Sequence, residues 1–421
     1  MKIFLLLLTA ILTSPGLLIA AAPEEMLPPP EAVLKATATP PEIDGHFNDP
    51  AWKDAVLLGD FMLNTTPVPA QAKTTVLVTY DRDNLYVGFT CLEPELKEKL
   101  LRPMADERDG NVWEDECIEV YINDVSRSTE QYHVLVNLRN TVMDLFSGEK
   151  FRQCKAVAWN GHWQSAVALG TDEWRVELKI PFATVNFPAG KTELRVNFCR
   201  ERYGTSGEIS SWSCPYGDFD KPERSGVLKN IIREGIPEIA SLSWPDDSTW
   251  GEQQLALQFA APVSGRLTLL QEKDGQLQVL AEGQVRQGQI SLPYFLEEPG
   301  RWVLLLGFQE QGKTESILFA SHNQLNPALF TLHRTTKIMP HGGRFQALAR
   351  LGNPSVLKEI SCRISGSAGQ QSASWHPEQE FCSITLDCST LAPGQYNVEY
   401  LFQLHSGRSV THHHPLLIFT P

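Results

Sequence analysis

Short alternating runs dominate the first half of the chain. Over residues 117–122, Ile118, Val120 and Ile122 alternate with Cys117, Glu119 and Tyr121, which predicts a strand with one apolar and one polar face. A second run follows at once. In residues 132–139, Val134, Val136 and Leu138 share one face, and His133, Asn137 and Arg139 share the other. Two adjacent strands are thus expected to aim a carboxylate, an amide and a guanidinium the same way, with Trp113 at the rim. Residues 76–80 and 85–89 flank Asp81-Arg82-Asp83-Asn84, a hairpin signal. Trp174, Val176, Leu178 and Ile180 mark a further strand, as do Leu194, Val196 and Phe198. The only helical stretch this pattern suggests is a short one within Glu95 to Met104. Many short strands separated by turn signals predict an all-β protein built of sandwiches.

The character of the chain changes past Pro237. Gln becomes common and a weak repeat appears: Pro299-Gly300-Arg301-Trp302-Val303 resembles Pro393-Gly394-Gln395-Tyr396-Asn397-Val398, and Phe308-Gln309 matches Phe402-Gln403 at the same offset. A Gly and a basic residue follow each match, Gly312-Lys313 and Gly407-Arg408. Pro-Gly, then an aromatic residue and a strand, reads as the late hairpin of an immunoglobulin-like sandwich. The expected order is a signal peptide at 1–22, a Pro/Ala-rich linker at 23–40, a large β-sandwich at 41–235, and two small immunoglobulin-like modules at 238–325 and 326–421.

Charge and compartment narrow the function. The formal charge of −14 argues against nucleic acid, whose phosphates demand a basic surface. Lys2, the apolar run to Ala20 and the small residues Ala20-Ala21-Ala22 form an export signal, so the mature chain is expected to be secreted or periplasmic with no membrane span. Export permits disulfides among the eight cysteines. Cys199 with Cys214, and Cys362 with Cys382 or Cys388, are the nearest pairs in sequence, with buried free thiols as the alternative. No Cys-x-x-Cys is present, which disfavours a zinc ribbon.

A family resemblance emerges from motifs in order. They are Ile43-Asp44-Gly45 through Asn48-Asp49-Pro50-Ala51-Trp52, Tyr80-Asp81 with Asn84-Leu85-Tyr86-Val87, and Trp113-x-Asp115-Glu116-Cys117-Ile118-Glu119-Val120. Then come Trp174-Arg175-Val176-Glu177 with Ile180-Pro181-Phe182, Arg195-Val196-Asn197-Phe198, and Ser211-Trp212. Residues 41–233 so read resemble the family 9 carbohydrate-binding module and related DOMON-like sandwich domains. The resemblance implies a sugar held between two tryptophans, here Trp113 and Trp212, with Glu119 as the sugar-binding carboxylate and Asn137 and Arg139 as its amide and guanidinium partners. It requires no cofactor but allows structural calcium, for which the acidic loops Asp44 to Asp49 and Asp106 to Asp109 offer oxygen ligands.

The chemistry of that set fits a neutral saccharide. Pyranose faces present C–H groups that stack on indole, and their edge hydroxyls pair with planar carboxylate, amide and guanidinium groups. Trp52, Trp159, Trp163 and Trp174 are expected to be structural, as are Trp302 and Trp375. His412-His413-His414 is expected to be a solvated strand edge. Three other functions stay open. Asp115, Glu116 and Glu119 are numerous enough for a glycosidase pair. Met104, Met143 and His133 could ligate haem. The C-terminal modules could dock another exported protein. The expectation is an exported, non-catalytic carbohydrate-binding protein.

Overall fold

The computed structural model describes residues 26–124, 130–147, 159–203, 207–243 and 251–420, apart from short breaks at 274–275, 297–299, 302, 322–324, 327–329, 352–353, 355–356, 377–378, 380, 406 and 408. The signal segment and Trp302 lie outside the described residues. Among the described residues, no helix is long and apolar enough to cross a membrane.

The first region holds thirteen strands: β1 (Glu31–Val33), β2 (Val56–Leu58), β3 (Met62–Leu63), β4 (Thr74–Tyr80), β5 (Asn84–Leu92), β6 (Cys117–Asp124), β7 (Gln131–Asn137), β8 (Val142–Ser147), β9 (Gln164–Leu169), β10 (Glu173–Pro181), β11 (Glu193–Arg202), β12 (Glu208–Ser211) and β13 (Gly226–Lys229). One sheet runs β1-β13-β11-β6-β7-β8, with β12 beside β11 and β3 beside β12; the other runs β2-β4-β5-β10-β9. Their inner faces form a single core. Val76, Val78, Val87 and Phe89 from one sheet meet Ile118, Val120, Ile122, Val134, Val136, Val196 and Phe198 from the other. Phe89 and Phe198 touch edge to face across the gap, ring centroids 5.9 Å apart. The apolar positions of the two alternating runs therefore point inward as expected, and the short helix forms at Leu96–Leu100.

The segment read as a linker is part of this sandwich. β1 pairs in parallel with β13, and Ala32 and Leu34 enter the core. Pro28-Pro29-Pro30 suggested an extended linker, but extended backbone also suits an edge strand, and the alternating Ala32 and Leu34 give it something to bury.

Buried carboxylates tie the loops to the sheets. Glu177 on β10 accepts from the backbone N–H of Asp44 and Gly45, each at 2.8 Å, and from Trp52 Nε1 at 2.8 Å. Both ends of the first motif thus meet on a side chain of the fourth. Gly45 has φ +86, and a Cβ there would run into the backbone of Ala168, so the approach requires glycine. In the β4–β5 hairpin, Asp81 Oδ1 accepts from the N–H groups of Asp83 and Asn84 at 2.8 and 2.7 Å, the side-chain turn that Asp-x-Asp-Asn predicts.

Two smaller β-sandwiches follow. In the first, strands at Ile239–Ser243, Gly251–Phe259 and Gln289–Leu296 face strands at Gly265–Lys273, Gln276–Val285, Val303–Glu310 and Ser316–Ala320. In the second, strands at Phe330–Thr335, Arg344–Leu351 and Phe381–Asp387 face a sheet holding Leu357–Gly366, Gly394–Leu404 and Ser409–Phe419. The repeat falls on equivalent strands: Phe308 and Phe402 are both core residues, and Gly312 and Gly407 both take positive φ. Trp375 packs partly buried against the last core, and His414 is held by Thr335 and Tyr400 while His413 meets Asn397. The expected disulfides are absent. Cys91, Cys117, Cys199, Cys214, Cys362, Cys382 and Cys388 are free thiols, and Cys214 points its Sγ at the carbonyl of Leu63 rather than at Cys199.

If β1 belongs to the sandwich, Leu34→Ala should destabilise it by about 2–5 kcal/mol, as for other buried large-to-small changes. Urea unfolding of the purified chain would measure this, and a change within 0.5 kcal/mol (roughly the range of surface substitutions) would put the segment back outside the core.

Candidate functional site

The outer face of the larger sheet holds the polar residues that the alternation predicted. β6 and β7 pair with Cys117 opposite Asn137, Glu119 opposite Leu135 and Tyr121 opposite His133. On the other side of β6, Cys117 stands opposite Glu201 and Glu119 opposite Cys199 of β11. A helical turn at Val112–Glu114 covers one end of this face. It is anchored by Val112, which packs with Cys117, Leu135, Met143 and Leu145.

The five predicted binding residues do not converge. Trp113 is 40% exposed, on the turn that Val112 anchors. Trp212 is 6% exposed and belongs to the core between the sheets, with its ring 5.8 Å from that of Phe198. A Cβ at Gly226 would collide with the Trp212 ring. The two indoles therefore do not form a pair of open plates. Ser210, Ser211 and Ser213 suggested a loop around Trp212, but all three are buried, and Ser210 and Ser211 pair with β3.

Asn137 is a bracket rather than a sugar contact. Its Nδ2 donates to the Ala105 carbonyl at 3.0 Å and to Asp115 Oδ2 at 2.8 Å, while its Oδ1 accepts from the N–H groups of Arg139 and Thr141. Two donors and two acceptor sites are all an amide has, so none is left for a ligand. Arg139 lies beyond the end of β7 in an exposed turn, followed by Asn140 at φ 59, and so does not continue the strand face.

Glu119 lies beneath the surface, 2% exposed. Its Oε2 accepts from Tyr121 at 3.0 Å and sits 2.5 Å from His133 Nε2. The His133 imidazole stacks on Tyr121 with ring centroids 3.8 Å apart. Glu201 joins from β11. Burial, and next the Glu119 carboxylate, push its pKa up to about 8. Burial, with Glu119 the nearest of several carboxylates, also raises the Cys117 thiol well above its usual range.

The other acidic residues of the motif are fully engaged elsewhere. Asp115 faces this outer side, where its Oδ2 accepts from Ala105 N–H and Asn137. Glu116 faces the opposite way into a buried ion network, accepting from Arg200 at 2.8 Å and lying 3.1 Å from Lys99 Nζ. Glu93 completes that network with Arg200 and Arg202 at 3.1 and 2.7 Å. Asp115 and Glu116 both border a small cleft of about 30 Å³, too small for a glycoside, and each carboxylate is already bonded to the protein. The haem reading finds no convergence either. Met104 packs against the inner core, Met143 sits in the outer cluster, and His133 is held by Glu119.

Neither acidic loop brings three Asp, Glu, His or Cys side chains to one point. Among the described residues the one such group is Cys117, Glu119 and Glu201, whose ligand atoms lie within 4.8 Å of one another. Glu201 and Arg200 were both missed from the sequence. Glu201 was within reach of that reading, because the alternation of Arg195, Asn197 and Cys199 continues to it with period two.

An open cleft of about 410 Å³ is lined by Pro103, Met104, Ala105, Asp106, Glu107, Gly110, Asn111, Glu114 and Asp115; Trp113 is not in its lining but sits on the same turn as Asn111 and Glu114. The floor of the cleft is held by the Asn137 and Asp115 brackets. Arg108, next in sequence to the lining residue Glu107, makes two 2.8 Å bonds to the buried Asp144. Trp163 and the Gly161 N–H also donate to Asp144.

Residues 43–231, which span both sheets and this face, match the family model described as carbohydrate family 9 binding domain-like. This segment belongs to that family. Among solved structures, a carbohydrate binding module family 9 from Caldicellulosiruptor kristjanssonii in complex with cellotriose is similar at 16% identity, over 49% of this chain and 95% of that one, with a TM-score of 0.36. A module of the same family and organism in complex with glucose aligns at 18% identity, over 49% of this chain and 98% of that one, with a TM-score of 0.37. No curated protein matches the chain. The ordered motifs of the family 9-like domain are those that Glu177, Asp81 and Asp115 hold together.

The two tryptophans should separate in a stability measurement. Trp212→Ala should cost about 3–5 kcal/mol, as a buried aromatic truncation does. Trp113→Ala should stay within about 0.5 kcal/mol. Thermal or urea melts of both variants test this, and equal losses would contradict the assigned positions.

Arg200→Ala should also cost about 3–5 kcal/mol, because it leaves Glu93 and Glu116 buried without their shared cation. Urea unfolding measures that loss, and a change under 1 kcal/mol (roughly the value of an exposed pair) would show that the network is not buried in solution.

Proposed function

We propose that the family 9-like domain of this chain is a non-catalytic binding domain for a neutral saccharide, taken in the cleft beside Trp113. The observation that carries this reading is an exposed, anchored indole on the same turn as two residues, Asn111 and Glu114, that line an open cleft of mixed polar and apolar character in a domain of this family. A free indole face stacks on the C–H face of a pyranose at little entropic cost. The cleft volume of about 410 Å³ lies within the range of small-molecule sites.

Asn111 and Glu114 flank Trp113 in sequence and line the cleft, where an amide and a carboxylate offer hydroxyls both donors and acceptors. Arg139 lies near the cleft. Its N–H bonds to Asn137, which in turn holds the cleft residue Ala105. The ring is stacked on one face only. Trp212 belongs to the core, and Glu119 is buried against Tyr121 and His133. Export, read from residues 1–22, is part of the same proposal and places the ligand among extracellular or periplasmic glycans. The C-terminal sandwiches then space or present the domain.

A glycan array on the intact mature chain tests the reading, followed by titration of the best binder. Trp113→Ala should weaken binding by more than about 1 kcal/mol with the melting temperature unchanged, as for an exposed hot-spot aromatic. Absence of binding to any neutral glycan would end the proposal, as would full affinity in the folded Trp113→Ala variant.

A further inference from the structure

The floor of the sheet face has a composition that sugar recognition does not use. Cys117, Glu119 and Glu201 bring one sulfur and two carboxylates within 4.8 Å of each other, on neighbouring strands and in register. Cys117 is fully buried, and among the described residues its thiol has no hydrogen-bond partner. Glu201 Oε2 is likewise buried without a hydrogen-bond partner. Two carboxylates crowded together out of water repel one another unless a proton or a cation stands between them, and the neutral thiol beside them becomes a further anionic ligand once a cation displaces its proton. Lys99, Arg200 and Arg202 do not serve here, because they are committed to Glu93 and Glu116, and the one imidazole at hand, His133, meets Glu119 at Oε2 and makes no bond to Cys117.

We propose that Cys117, Glu119 and Glu201 form a binding site for a single divalent transition-metal ion of the zinc type. The ligand chemistry selects the ion. A thiolate beside carboxylates suits a borderline-soft cation, whereas calcium and magnesium take oxygen ligands alone. A four-coordinate zinc site places sulfur and oxygen ligands about 3.6 Å apart, by the bond lengths typical of such sites. Closing the cluster from its present spread therefore needs side-chain movement of about 1 Å, small for rotameric groups on a rigid sheet.

The supporting shell is already built. Tyr121 and His133 both bond Glu119 Oε2 and fix its orientation, as second-shell partners do for metal-binding carboxylates. The strand register fixes Cys117 opposite Glu201. Glu201 and the neighbouring Tyr203 are only partly buried, so the ion has an approach from their side. On binding, the Cys117 thiol releases its proton to solvent, and the S–H bond is replaced by a sulfur–metal bond.

This inference does not depend on sugar binding and is read by a separate signal. The intact mature chain, reduced and freed of metal with a chelator, would be titrated with Co²⁺ and then with competing Zn²⁺. One equivalent of Co²⁺ should produce a near-ultraviolet thiolate-to-cobalt charge-transfer band, which Zn²⁺ abolishes. Cys117→Ser should remove the band, and Glu201→Gln should weaken affinity by about tenfold or more. His133→Gln should weaken it by about 10–100-fold while the band remains. Cys382→Ser, which alters a partly exposed thiol in the last sandwich, should change nothing. Absence of a band in the unmutated chain would overturn the proposal, as would a band that persists in the folded Cys117→Ser variant. Neither result bears on the glycan array, which is run with chelator present.

Discussion

The constraint that organises the first domain is the cost of burying a carboxylate. An ionised carboxyl removed from water loses several kcal/mol of solvation unless donors replace the lost water. This chain buries several and meets each demand with backbone N–H groups and with indole, amide or guanidinium donors drawn from separate segments. Glu177 gathers the loop at Asp44 and Gly45 together with Trp52. Asp144 gathers Arg108, Gly161 and Trp163, although burial still lifts its pKa to about 6. Asp115 gathers Ala105 and Asn137. Each is a local requirement for hydrogen bonds, and each fixes a loop that no hydrophobic contact alone would place.

The same requirement explains how the polar face of the sheet is divided. Asn137 has every hydrogen-bonding position taken in holding the floor of the cleft, and Asp115 Oδ2 is taken there too, so Asn137 shapes the cleft without touching a ligand. Glu116 turns to the other side, where Arg200 and Lys99 balance it and Glu93. Trp113 is left exposed because its neighbour Val112, not Trp113 itself, supplies the apolar anchor for the turn. A residue at the rim is free to bind when the residues on either side of it do the packing.

The strands were legible in the sequence because their period of two survives every tertiary detail. The inward set of Ile118, Val120, Ile122, Val134, Val136 and Leu138 was correct in full. The hairpin at Asp81–Asn84 was legible because the turn is a local event, with the side chain and its donors two or three residues apart. The site was less legible. Alternation puts Glu119, Asn137 and His133 on one face, but not how deep that face lies or which groups consume one another's hydrogen bonds. Trp212 illustrates the limit. Three flanking serines suggest exposure, yet all three are buried on the strand and loop that seat the indole over Gly226. The linker reading of residues 23–40 erred for a related reason, since proline marks extended backbone and not the absence of a partner strand.

Depth is what separates the two functions argued for this face. A neutral sugar must be met at the rim, where an indole can be exposed without penalty and hydroxyls can exchange water for protein partners one at a time. A cation can be taken further in, because it replaces the solvation that buried anionic ligands have lost. The net charge of −14 acts in the same direction on both counts. It gives a neutral glycan no long-range attraction, so affinity for one must come from contact, and it raises the local concentration of cations. The rim and the floor of one sheet can then serve different ligands, separated by a layer of side chains whose hydrogen bonds are already spoken for.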